Sequence, residues 1–291
     1  MCTTCGCSDP APARVTHWPT TTEAQGDPTG QAPHGHPDHP NADHPNADHS
    51  NADHGHVRQG QADHGPARRT VVLEEQILAK NDSLAQANRR WLTSRDVLAV
   101  NLMSSPGAGK TTLLERTLHD LAGELAMAVI EGDQETALDA ERIRATGCAV
   151  VQINTGAGCH LDAEMLAQGI DRLAPPPGSV LLIENVGNLV CPALFDLGEA
   201  SRVVIMSVTE GADKPLKYPH MFRAADLLVL NKVDLLPYVD FDVQRCLDHA
   251  RQINPGLATL QVSATRGEGL ADWYEWLRLQ RKLSPAWVGE A

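Results

Sequence analysis

VLAVNLMSSPGAGKTTLLERTLHDLA, residues 97–122, decides how the rest of the chain is read. VLAVNLM (97–103) is a short, unbroken apolar run and reads as a strand buried on both faces. TTLLERTLHDLA (111–122) reads as a helix. Between them, SSPGAGKTT (104–112) matches the phosphate-loop pattern G-x-x-x-x-G-K-[ST] at Gly109, Lys110 and Thr111, with Ser104 where the first glycine is expected. The physical need behind the pattern is still met. Gly107 and Gly109 let backbone N–H groups turn toward phosphate oxygens, and the helix starting near Lys110 aims its N-terminus at the same anion. Ser105, Gly107, Ala108, Gly109, Lys110, Thr111 and Thr112 are therefore expected to cradle phosphates, with Lys110 on the β and γ groups and Thr111 on Mg2+. A glycine-rich turn with no ligand is the alternative, and the placement between strand and helix argues against it.

Outward from this unit the same alternation continues. AMAVIEG, CAVVQIN, SVLLIEN, RVVIMSV and DLLVLNK are short apolar runs rich in β-branched residues, and helical stretches such as TALDAERIRA and LDAEMLAQGIDRL separate many of them. ATLQVSA and GLADWYEWLRLQRKL read as a closing strand and helix. Strands alternating with helices imply a mostly parallel sheet covered on both faces, an α/β P-loop NTPase domain over residues 67–291. A leading helix is expected over 71–93, with Ile77, Leu84 and Trp91 a heptad apart and Leu78, Ala85 and Leu92 beside them.

Three stretches refine the ligand. ENVGN places Glu184 and Gly187 after the strand SVLLI and resembles the D-x-x-G switch of GTPases, with Glu for Asp. Glu184 there can bind Mg2+ or its water, and the Gly187 N–H can meet a γ-phosphate. Asp133, in EGDQET, is a second acid near the metal and attacking water. Both belong at the carboxyl edge of the sheet, where open α/β folds bind ligands. Lys110, Asp133 and Glu184 are the catalytic candidates, and Thr111, Asp133 and Glu184 the Mg2+ ligands. NKVD (231–234) matches the N-K-x-D base motif. Asp234 would accept from the guanine N1–H and N2 amino group. Adenine lacks that donor pair and would leave the acid unpaired. Asn231 and Lys232 would buttress the base, and Ser263 and Ala264 in SAT (263–265) resemble the last guanine-contacting loop.

Composition bounds the setting. The chain has 291 residues, 42% of them apolar, a formal net charge of −13 and a pI of about 5.4. Such acidity argues against a nucleic-acid partner. Seven cysteines, scattered after the first three, are no disulfide framework and suit a reducing compartment. No eighteen-residue apolar run predicts a membrane span, and no basic region leads into an apolar stretch as in a signal peptide. A soluble cytoplasmic protein is expected.

The first 66 residues differ from the rest. Residues 1–7, MCTTCGC, carry Cys2, Cys5 and Cys7, three soft donors that suit Ni2+ in a square-planar arrangement or Zn2+ in a tetrahedral one. Residues 8–66 are rich in Pro, Gly, Asp, Asn, Thr and His; Val15, Trp18 and Val57 are their only large apolar side chains. This segment is expected to be disordered. Within it, HPNADHPNADHSNADH (39–54) repeats every five residues. His34, His36, His39, His44, His49, His54, His56 and His64 offer imidazoles for weak, multi-site metal storage; a solvated linker that drifted into a repeat is the plainer reading. Further on, Cys159 and His160 in GAGCHLD, with Cys191 four residues after Gly187, are candidate ligands for zinc or nickel. Cys148 and Cys246 are read as small buried hydrophobes.

SSPGAGKTTLLE, EGDQET, NTGAGCHLD, ENVGNLVCP and NKVD, together with MCTTCGC, resemble HypB, the hydrogenase nickel-incorporation GTPase family, over roughly residues 71–285 and the first seven. Ser104 is usual in that family. The resemblance implies a SIMIBI-type P-loop GTPase of the same class as the urease chaperone UreG. It implies GTP-dependent homodimerisation, and nickel delivery to the [NiFe]-hydrogenase large subunit alongside a HypA-type chaperone. Two other readings compete: a nickel store built on the His tract, and a chaperone for another nickel enzyme such as urease. UreG-like proteins lack the MCTTCGC start, which favours hydrogenase.

Overall fold

Short apolar strands alternating with amphipathic helices have one economical solution, parallel strands joined by helical crossovers, and the chain adopts it. The computed structural model describes residues 14–18, 66–134, 138–156 and 158–284. The expectations for Cys2, Cys5, Cys7 and the eight tract histidines lie outside the described residues. The strands are β1 (Arg14–Trp18), β2 (Leu98–Ser104), β3 (Met127–Asp133), β4 (Ala149–Asn154), β5 (Val180–Glu184), β6 (Ser201–Ser207), β7 (Leu227–Asn231) and β8 (Ala258–Gln261). The helices are α1 (Pro66–Ser94), α2 (Lys110–Asp120), α3 (Leu138–Ala145), α4 (Ala163–Leu173), α5 (Lys214–Lys217), α6 (Pro219–Ala224), α7 (Val243–Ile253) and α8 (Leu270–Leu283). One sheet has the order β1-β4-β3-β5-β2-β6-β7-β8, parallel except for β1. The phosphate-loop strand β2 therefore lies between β5 and β6, near the middle.

Alternate residues of each strand feed opposite layers. Val180 and Leu182 of β5 join Leu113, Leu114, Leu118 and Trp273 on one face. Leu181 and Ile183 join Leu92, Leu166 and Ile170 on the other. A third cluster packs β6 and β7 against Met221, Phe222 and Leu247. No helix among the described residues is long and apolar enough to cross a membrane.

Three expectations need correction. Within the segment expected to lack structure, Arg14–Trp18 is a strand, antiparallel to β4 from Arg14↔Asn154 to Trp18↔Val150. RVTHW holds two of that segment's three large apolar residues, and the edge of β4 offers unpaired backbone groups. Arg172 donates to the Val15 carbonyl at 2.7 Å, and Val15 packs on the β4–α4 layer. The leading helix begins at Pro66 rather than residue 71. Its inward stripe is Asn81, Ala85, Asn88 and Leu92, while Ile77 is exposed. The two asparagines are buried because they are satisfied. Asn81 donates to the Asp196 carbonyl and accepts from the Ala163 N–H, and Asn88 donates to the Ala163 and Leu197 carbonyls.

Candidate nucleotide and metal site

The phosphate loop wraps a cavity of about 530 Å3 at the carboxyl end of β2. Gly109 caps α2 with φ +92°. A Cβ there would lie 2.5 Å from Asn231 Nδ2, so this glycine answers to both backbone angle and space. Gly107 also has a positive φ, but Ser104 closes β2 as an ordinary strand residue. That is the physical reason serine replaces the first glycine without harm. Ser105 Oγ donates to Glu210 Oε2 at 2.6 Å, tying the loop to the end of β6.

Under the loop, Lys110 Nζ (2.7 Å) and Thr111 Oγ1 (2.6 Å) both donate to Glu184 Oε1. Glu184 is 1% exposed, and its other oxygen has no hydrogen-bond partner. A buried, half-satisfied carboxylate beside a threonine hydroxyl is a donor set that fits a hard cation such as Mg2+. Asp133 lines the same cavity. So does Glu131, which sits opposite Glu184 in the β3–β5 register. Burial, reinforced by the Glu184 charge, pushes the Glu131 carboxyl up to about 9. Its Oε2 is likewise unpartnered. Gly187 leans on the phosphate loop: a Cβ there would lie 3.2 Å from Pro106 N and Cα.

The base loops reach back to the phosphate loop. Asn231 Nδ2 donates to the Ala108 carbonyl at 2.9 Å and Lys232 Nζ to the Gly107 carbonyl at 2.6 Å. Asn231 Oδ1 accepts from the N–H groups of Lys232 and Ala264. Ser263 Oγ donates to Asp234 Oδ1 at 2.6 Å, and Arg266 lies 3.7 Å from Oδ2. Ser263 and Ala264 thus orient Asp234 and Asn231. Asn231 and Lys232 join base and phosphate loops.

Cys159 and His160 lie in the loop between β4 and α4, and Cys191 opens a 3-10 turn, Cys191–Ala193, after β5. Cys159 Sγ is 3.0 Å from Cys191 Sγ and 3.6 Å from His160 Nδ1. The three ligand atoms all lie within 4.8 Å of one another. Two thiolates held at about 2.3 Å in a tetrahedral shell lie roughly 3.8 Å apart, so a small spreading of the thiols from 3.0 Å would let them share one ion. Burial lowers the His160 pKa, which favours the neutral, metal-binding imidazole, and Phe195 packs on its ring at 4.0 Å. The other two cysteines among the described residues, Cys148 and Cys246, are packing residues as expected. Burial pushes the Cys148 thiol up to about 12, and burial with the Glu210 charge pushes Cys246 to about 11.

The sequence profile described as "CobW/HypB/UreG, nucleotide-binding domain" matches residues 98–261. The hydrogenase maturation factor HypB of Rhizobium leguminosarum bv. viciae is 58% identical over 211 residues, which is 72% of this chain and 71% of that protein. The chain belongs to the HypB family of hydrogenase maturation factors. Two solved HypB structures agree. That of Archaeoglobus fulgidus superposes with a TM-score of 0.66 at 42% identity, covering 70% of this chain and 99% of that one. That of Helicobacter pylori HypB in complex with nickel gives 0.66 at 37%, covering 70% and 95%.

Several residues at this HypB-family site escaped the sequence reading. Glu131 could have been found as the single acid in the apolar strand AVIEG. Arg142, on α3, lines the phosphate cavity and donates to Glu115 and to Thr112 Oγ1. Glu210, Asn185 and Asn188 carry no signal of their own in one sequence, because the bonds that tie them to the site, to Ser105, Leu161 and Cys159, cross to segments distant along the chain.

Proposed function

We propose that the chain is a GTP-hydrolysing nickel metallochaperone that loads the large subunit of [NiFe]-hydrogenase. One observation carries this reading: Glu184, which holds Lys110 and Thr111, and Cys191, which sits 3.0 Å from Cys159, belong to one eight-residue stretch. When nucleotide binds, Lys110 and Thr111 turn from Glu184 to the phosphates. Mg2+, when bound, offsets charge on the β- and γ-phosphates. Thr111, Asp133 and Glu184 are the residues that would hold it. Asp133 and Glu184 also orient the attacking water, and Lys110 stabilises the transferring group. Asp234, held by Ser263, selects guanine. The Gly187 N–H meets the γ-phosphate and releases it on hydrolysis.

Nickel is cargo. Cys159, His160 and Cys191 supply three donors, with Zn2+ the competing ion, and a second copy of the chain, paired in the GTP state, completes the shell. Cys2, Cys5 and Cys7 and the His tract collect the ion. A HypA-type chaperone and the hydrogenase large subunit are the partners, in a reducing cytoplasm with no nucleic acid or membrane involved. The test is transfer of radioactive nickel to purified, nickel-free large subunit. Transfer should require GTP, fail with ATP or GDP, and drop in Cys191→Ser. Equal transfer with GDP would refute gating by hydrolysis.

A further inference from the structure

The loop that carries the metal ligands is held on both sides of His160 by side-chain amides from the nucleotide switch. Asn188 Nδ2 donates to the Cys159 carbonyl at 3.3 Å. Its Oδ1 accepts from the Val190 N–H at 2.8 Å, one residue before Cys191. One side chain thus spans the two thiol-bearing segments. On the far side of His160, Asn185 Oδ1 accepts from the Leu161 N–H at 3.1 Å. The Leu161 side chain fills the space beside Gly132, where a Cβ would meet its Cγ at 2.6 Å.

The two amides differ in how firmly they are fixed. Asn185 is fully buried. It accepts a second bond from the Val186 N–H at 2.9 Å, donates to Asn101 Oδ1 of β2 at 3.3 Å, and its own N–H donates to the Leu102 carbonyl. Asn188 is half-exposed, follows Gly187 directly, and makes one long bond to the ligand loop. A γ-phosphate that draws Gly187 moves Asn188 and leaves Asn185 at the strand end.

We propose that Asn188 is the positioning residue through which nucleotide state sets metal affinity, with Asn185 as the fixed anchor of the same ligand loop. This rests on the gated-delivery reading above. In one nucleotide state the amide of Asn188 holds Cys159 and Cys191 at one spacing; in the other its bond to the Cys159 carbonyl breaks and the two thiols separate. Linkage requires that metal bound at the cluster shift nucleotide affinity by the same factor.

The test uses the full chain with Cys2, Cys5 and Cys7 changed to Ser, so that thiolate-to-metal charge-transfer absorption reports Cys159 and Cys191 alone. Ni2+ is titrated with GDP and with a non-hydrolysable GTP analogue in this parent, in Asn188→Ala and in Asn188→Asp. The expected parent ratio of affinities is about tenfold. Asn188→Ala should bring it close to one. Asn188→Asp keeps the acceptor for Val190 but loses the donor to Cys159, and should also reduce the ratio. A purely structural role would weaken Ni2+ equally in both states and leave the ratio unchanged; that result overturns the assignment. A parent ratio of one overturns gating itself, and the Asn188 role with it. Unfolding midpoints of the variants confirm that each is folded.

Discussion

Replacing Glu131 with Gln should make the nucleotide- and metal-free protein more stable at neutral pH, and the size follows from the site. Glu131 is 2% exposed, faces Glu184 in register and has an oxygen with no partner. In the unfolded chain it titrates near the ordinary glutamate value of about 4.3. In the folded chain burial and the neighbouring carboxylate raise it to about 9. Between those values the folded state holds a proton that the unfolded state has lost, so stability falls as pH rises. One proton of difference corresponds to about 1.4 kcal/mol per pH unit. By pH 7 the accumulated cost is about 4 kcal/mol. The cost vanishes below the unfolded value and stops growing above about 9.

Gln is neutral throughout and nearly isosteric, so it removes this burden. The assay is denaturant unfolding of wild type and Glu131→Gln at pH 5, 6, 7 and 8 in EDTA. The variant should gain most at pH 8 and least at pH 5, and its stability should vary less with pH. A variant of equal or lower stability at pH 7, parallel to wild type across the range, would refute the argument. It would mean that Glu131 is ionised in the fold and that its charge is compensated.

Three further outcomes follow from single contacts. Gly109→Ala places a Cβ 2.5 Å from Asn231 Nδ2 at φ +92°. Left-handed strain and the displaced amide should together cost about 2–3 kcal/mol in unfolding, with nucleotide affinity falling at least as steeply in calorimetry. Trp273→Phe removes a buried 2.8 Å bond from Nε1 to Thr117 Oγ1. It should cost about 1–2 kcal/mol and lower the melting temperature by several degrees, without altering nucleotide affinity. Ser263→Ala frees Asp234 Oδ1 from its 2.6 Å donor. Preference for guanine over adenine nucleotides, read by competition binding, should narrow by about tenfold, as expected for one charge-assisted hydrogen bond.

What could be read from the sequence was local. The phosphate loop declares itself because glycine at fixed offsets between a strand and a helix answers a backbone need within nine residues. The strand alternation follows for the same reason. What stayed hidden depends on pairing between distant segments. β1 exists because β4 presents an edge to RVTHW, which composition averaged over residues 8–66 conceals. Glu131 stands apart from other strand acids only once register sets it against Glu184. That Ser263 holds Asp234 is a choice made by side-chain geometry, across 29 residues of sequence. Cys159, His160 and Cys191 were separately visible as donors. Their 4.8 Å proximity depends on the β3–β4 and β3–β5 pairings, which bring the ends of β4 and β5 to the same edge of the sheet.

That shared edge bears on how small a motion the switch needs. The two thiols come from different loops, and only the second is continuous with Gly187. Metal–ligand distances are tolerated only to about 0.2 Å. A shift of about 1 Å in residues 187–190 relative to the 159–161 loop is therefore enough to change coordination outright, and no domain movement is required. On the reading proposed above, the Gly187 N–H that meets the γ-phosphate opens this segment, and it lies so near the phosphate loop that a Cβ on Gly187 would come within 3.2 Å of Pro106. On that reading, one contact at Gly187, made by the third phosphate and lost on hydrolysis, would supply the displacement.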